Sequence, residues 1–165
     1  MDYFRNEYLK DVLNRFRRLK ELTEKALDQV SDEAFFAVLD SDENSIAILV
    51  KHMTGNMLSR WTDFLTTDGE KPHRDRDGEF QMDSATTRAD LVETWEKGWD
   101  TLLGTIESLR PEDLEVVVYI RRNPCTVSEA INRQLIHYAL HVGQIIMLAK
   151  HFSHTWKTLS IPRSS

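Results

Sequence analysis

The chain has 165 residues, 41% hydrophobic and 29% charged, long enough to bury a continuous core, and its four Trp, four Tyr and seven Phe exclude a disordered chain. Against 27 Asp and Glu, 21 Lys and Arg leave a net charge of −6, which excludes broad nucleic-acid binding because that needs a basic surface. The single cysteine, Cys125, excludes an internal disulfide and a paired-cysteine zinc site and fits a reducing compartment.

The first segment, MDYFRNEYLKDV, scatters its charges and has no apolar run of signal-peptide length. No later stretch approaches the roughly 20 apolar residues of a membrane span. A cytoplasmic protein without membrane contact is expected, folded as one domain over residues 1–165.

From Tyr3 to Val30, apolar residues at Leu9, Val12, Phe16, Leu19, Leu22 and Ala26 alternate with charged ones at the spacing of an amphipathic helix. The segment Ser31 to Ser45 reads as a connector anchored by Phe35, Phe36 and Leu39, and its DSDENS run offers acceptors that cap the next helix. That second helix is predicted from Ser45 to Leu65, with Ile46, Leu49, Val50, Met53, Met57 and Phe64 on one side and His52 and Asn56 at the edge of the stripe. Thr66 to Thr86 carries Gly69, Pro72, Gly78 and many charges, so it reads as a long surface connection suited to a mobile flap, with His73 solvated.

Thr87 with Asp90 forms a capping-box pattern, and Leu91, Trp95, Trp99, Leu102, Ile106 and Leu109 continue as a third helix that Pro111 ends. Val116 to Arg122 is β-branched and aromatic and meets Asn123 and Pro124, which predicts a short strand or extended crossover. Thr126 with Glu129 is a second capping box, opening a fourth helix to about Lys150. The tail is predicted to pack as an irregular arm anchored by Trp156, Leu159 and Ile161, with Pro162 ending regular structure.

His137 and His141 are four residues apart, so their imidazoles leave the fourth helix on one face and can reach a common ion. An i, i+4 histidine pair also arises by chance, and the spacing alone leaves two ordinary core or rim histidines as an alternative. A third ligand must come from elsewhere, and His52 alone of the remaining histidines lies in a core helix beside the buried stripe. His151 and His154 form a competing set at the fraying end of the fourth helix, while Cys125 sits in a Pro-containing turn. Tyr138, Ala139 and Leu140 fill the gap between the paired histidines, so the glutamate of a zinc peptidase is missing.

The stretch HYALHVGQ from His137 to Gln144, with the lone earlier histidine in NSIAILVKHMTGN, resembles the DinB/YfiT-like superfamily of metal-binding four-helix bundles. The closing WKTLSIPR and the stretch from Trp61 to Phe80 look like one uncharacterised bacterial subfamily within it. The resemblance implies an all-α four-helix bundle, up-down-down-up with a long crossover, that binds one zinc or nickel ion through His52, His137 and His141. It also implies homodimers and, among several activities, transfer of a low-molecular-weight thiol such as bacillithiol to a small electrophile; hydrolases and members without known activity belong to the same superfamily.

Three imidazoles leave a coordination position open, where a thiol or water loses its proton more readily. Around them, Asn56, Gln134 and Gln144 are placed to position ligands or to satisfy polar groups at the cavity rim. Glu129, Asp63 or backbone carbonyls are available to accept from the free imidazole nitrogens. Trp61, Trp95 and Trp99 read as core or cavity wall, and Arg121 and Arg122 as a solvated pair or an attraction for an anionic cosubstrate.

Overall fold

The protein, seen in a computed structural model that describes residues 2–159, is an all-α bundle of four long helices with one small hairpin. The long helices are α1 (Asp2–Leu27), α3 (Ile46–Trp61), α4 (Arg88–Ser108) and α5 (Val127–Phe152), and α2 (Asp32–Phe36) is a single short turn of helix. Both capping boxes read from the sequence are present: Thr87 and Asp90 start α4, and Thr126 and Glu129 start α5. Ser45 caps α3 by accepting from Ile48 N at 3.2 Å.

Side-chain contacts fix the direction of each helix. Thr105 donates to the Trp61 carbonyl, and a Cβ on Gly98 would touch Met57, so α3 and α4 run parallel. Arg17 meets Glu107 while Arg88 donates to the carbonyls of Leu27 and Val30, so α1 and α4 are antiparallel. Tyr8 donates to Asn132 near the start of α5, which makes α1 and α5 parallel, and Asn56 with Gln134 sets α3 against α5 in opposite directions. The order is therefore up, down, down, up, and the parallel α3–α4 pair needs a connection that returns along the bundle. Residues 62–87 make that crossover.

Phe16, Trp61, Trp99 and Tyr138 meet edge-on at ring separations of 6.1–6.2 Å, and Trp95 meets Trp99 edge-on at 5.5 Å, all fully buried. The tryptophans are core, as their spacing predicts.

Three segments depart from the sequence reading. The connector after α1 contains α2, whose Ser31 cap accepts from Ala34 N at 3.2 Å and whose Phe35 is buried; Leu39, expected as an anchor, is exposed. The expected strand is β1 (Val117–Ile120), but it has a partner, β2 (Asn123–Thr126), in an antiparallel hairpin. Pro124, expected in a turn, sits in β2 opposite Tyr119, which an edge strand tolerates because the missing N–H faces away from the ladder.

The crossover is not a loose flap. Lys51 donates to the carbonyls of Gly78 and Gln81 at 2.9 and 2.6 Å. Ser59 accepts from Lys71 N at 2.9 Å and donates to the Gly69 carbonyl, and Gly69 N donates to the Tyr119 carbonyl at 2.8 Å. These bonds fasten the segment between α3 and the hairpin. In the tail, Trp156 and Leu159 pack against the core; Ile161 and Pro162 lie outside the described residues.

Candidate metal centre

His52 leaves the middle of α3, and His137 and His141 leave α5 one turn apart. The antiparallel pairing of these helices brings the three imidazoles together with their ligand atoms all within 4.8 Å of one another. The register is set one turn away: Asn56 Oδ1 accepts from both Gln134 Nε2 and Tyr138 OH, and Tyr138 OH accepts from Trp61 Nε1 at 3.2 Å. Asn56, Gln134 and Tyr138 are all buried, so breaking this chain would strand polar atoms in the core. Asn56 and Gln134, read from the sequence as cavity neighbours, thus hold α3 and α5 in register beside the histidines.

The Nε2 atoms converge. His52 Nε2 is 3.4 Å and His141 Nε2 3.0 Å from His137 Nε2. Three nitrogens around a tetrahedral ion with zinc–nitrogen bonds of about 2.0–2.1 Å would stand roughly 3.3 Å apart. The far side of two rings selects the tautomer: His52 Nδ1 faces Glu79 Oε2 at 2.8 Å, and His141 Nδ1 faces Gln144 Oε1 at 2.7 Å. Both acceptors place the proton on Nδ1 and leave an Nε2 lone pair aimed at the common centre. The three histidines can hold a metal ion.

Protonation agrees with that role. Burial, with the neighbouring His141 and His52, pushes His137 from 6.5 down to about 3, and burial also lowers His141 despite its hydrogen bond to Gln144. Both rings are therefore neutral donors at physiological pH. His137 departs from the usual pattern in one respect, since its Nδ1 is buried with no hydrogen-bond partner among the described residues.

Glu79 comes from the crossover, in a 3-10 turn at Gly78–Phe80, and is buried. Arg74 grips its carboxylate with two bonds, Nε to Oε1 at 2.7 Å and Nη2 to Oε2 at 2.8 Å. Burial raises the Glu79 carboxyl, but the His52 and Arg74 contacts outweigh it and hold it below the usual carboxylate range. Phe80 lies against the His52 ring, 4.7 Å between centroids.

The acceptors nominated from sequence are engaged elsewhere. Glu129 accepts from Thr126 N in the α5 cap, and Asp63 lies in the turn after α3. The sequence does mark the true one, through Gly55: a Cβ there would stand 2.1 Å from Glu79 Oε1, so a glycine in mid-helix three residues after His52 signals something approaching closely. The competing residues do not assemble a site. His151 and His154 are exposed, His73 is solvent-facing as expected, and Cys125 lies in β2 opposite Val118.

No curated protein and no solved structure matches this chain. The family described as "Protein of unknown function (DUF1572)" matches residues 3–165. That match spans α1, the crossover that carries Glu79, and α5 with its two histidines, and the chain belongs to this DUF1572 family.

Proposed function

We propose that His52, His137 and His141 bind one divalent ion, zinc or nickel, and that the chain is a metal-dependent transferase joining a low-molecular-weight thiol such as bacillithiol to a small electrophile. The observation that carries this reading is the convergence of three Nε2 atoms, two with tautomers set by Glu79 and Gln144. Such a donor set suits both metals, and the resemblance to the DinB/YfiT-like superfamily carried by the same residues supports it. A bound ion supplies a Lewis acid whose free position lowers the pKa of a thiol or water placed there.

A thiol is preferred to water because of Glu79. The one carboxylate in contact with a ligand histidine among the described residues is tied to His52 and Arg74 and held in its ionised form, so it is a poor proton acceptor for a hydrolytic step. Its work is to orient His52. A hydrolase is the second reading, and a bundle that merely senses or is braced by the ion is the third.

Elemental analysis of untagged protein, purified without a nickel column, is expected to give one divalent ion per chain in the wild type and none in His137→Ala. Thiol consumption with a panel of electrophiles should then appear in the metal-loaded protein and vanish on chelation. Absence of metal and of zinc or nickel uptake would sink the reading. Turnover without added thiol would favour the hydrolase, and a melting temperature that depends on metal with no turnover would favour the brace.

The working form is proposed to be a cytoplasmic homodimer. No helix among the described residues is long and apolar enough to cross a membrane, while Ile136, Leu140 and Met147 leave one face of α5 at 64%, 66% and 56% exposure. Leu140→Glu is expected to convert a dimer to monomer in analytical ultracentrifugation.

A further inference from the structure

In a chain of net charge −6, a cavity of about 200 Å³ beside the histidines is lined by Arg60, Arg74, Arg76, Arg121 and Arg133, together with His52 and His137. The remaining lining is amide, and among the described residues no acidic side chain faces it. The arginines arrive from four parts of the chain: the last turn of α3, the crossover, the hairpin tip and the second turn of α5.

Their counter-charges are few. Glu79 is consumed by Arg74 and His52. Glu70 stands behind the group, shared at 3.3 Å from Arg74, 3.4 Å from Arg121 and 3.8 Å from Arg60. Asp77 is 3.7 Å from Arg76 at the exposed rim, and Asp68 spends its carboxylate on the backbone of the hairpin tip. Arg133 has no carboxylate partner among the described residues.

Arg60 is the most telling member. It is 3% exposed, and its Nε and Nη1 atoms are buried without any hydrogen-bond partner. A guanidinium cannot shed its proton, so a buried one with unused donors, repelled by Arg74 and Arg133, costs stability unless an anion completes it. A glycine makes room for it: a Cβ at Gly69 would stand 2.9 Å from Arg60 Cδ and 3.0 Å from Nη1.

We infer that this arginine-lined cavity binds a phosphoryl group, and that the substrate or cosubstrate of the histidine site carries one. A lone carboxylate has two oxygens and is satisfied by a single guanidinium fork, whereas forks converging from several directions match a group with three oxygens and two charges. Because His52 and His137 share the cavity wall, a group held by the arginines lies beside the histidine cluster, and these side chains would fix how far the rest of the substrate extends toward an ion held there. Assigning the group to a substrate rests on the metal-dependent reading above. Its capture by the arginines does not.

The test is titration of inorganic phosphate, with acetate as the comparison, into metal-free and zinc-loaded protein, followed by calorimetry and melting temperature. Phosphate is expected to bind both forms and raise the melting temperature, with acetate far weaker. Arg133→Gln, a change at an exposed position, should weaken phosphate by about tenfold or more, the worth of one charge-assisted hydrogen bond. Arg60→Gln should do the same and should not lower the melting temperature of phosphate-free protein. Equal binding of acetate, unchanged phosphate affinity in both variants, or binding only when zinc is present would overturn the inference. Phosphate binding by a protein that takes up no metal would leave the cavity standing and remove the metal reading alone.

Discussion

The α3 wall of the histidine cluster is built with charge and the α5 wall without it. His52 is buried and backed by Glu79, which Arg74 holds in turn, all of it below the surface. His141 is half-buried and backed by the exposed amide of Gln144, and the Nδ1 of His137 has no partner among the described residues. Ionic support in a buried setting is strong while complete and costly when broken; neutral support at the surface is weak either way. The difference locates the rigidity of the site in the crossover, with α5 supplying ligands that are positioned mainly by their helix.

Removing Glu79 should therefore do the most damage. Glu79→Ala leaves Arg74 buried without its main partner, a loss of roughly 3–5 kcal/mol in stability, readable by denaturant titration. The same variant is expected to bind zinc about 10–100-fold more weakly, since a ligand histidine loses the acceptor that orients it. If Glu79→Ala cost no more than a change on the α5 side, the contrast between the two walls would collapse.

The second expected effect is a pH dependence of the metal-free protein. Folded His137 titrates at about 3 against 6.5 in the open chain, so between those values the unfolded state takes up protons that the folded state refuses. Stability should fall as pH drops from 6.5 toward 3, with His141 acting in the same direction. Glu79, whose folded pKa is lowered, contributes its own loss only below its ordinary value of 4.5. Denaturant titrations at stepped pH should show a flatter profile for His137→Ala, and an equal slope would remove His137 as the cause.

The smallest effect is expected at the α5 rim. Gln144→Ala should weaken zinc binding by only about 0.5–1.5 kcal/mol, the net worth of one neutral hydrogen bond, and leave the melting temperature of metal-free protein unchanged. Competition with a chromophoric chelator measures it.

The long helices, both capping boxes and the tryptophan core were legible because they follow from periodicity and local hydrogen bonding, which the sequence carries residue by residue. The convergence of the three histidines was legible in part, since i, i+4 spacing fixes a shared face and His52 lies beside a buried stripe. What could not be read were contacts between distant segments: Glu79 reaching His52 across 27 positions, and Arg60 meeting Arg121 and Arg133 around one cavity. A charged run such as Arg74 to Glu79 looks solvated throughout, yet the fold buries the side chains at its two ends. Gly55 was the one local clue to that burial, and its meaning depends on knowing what it faces.

The hairpin tip carries a consequence for how this chain can change. Arg121 and Arg122 both adopt positive φ, 54° and 63°, a left-handed conformation that costs about 1–2 kcal/mol for each residue bearing a Cβ. Asp68 offsets this by accepting from both backbone N–H groups at 2.9 and 2.7 Å. Asn-Gly would fit such a two-residue turn with less strain, yet it would withdraw the Arg121 guanidinium from the cavity. Selection for a sturdier fold and selection for ligand capture therefore pull position 121 in opposite directions.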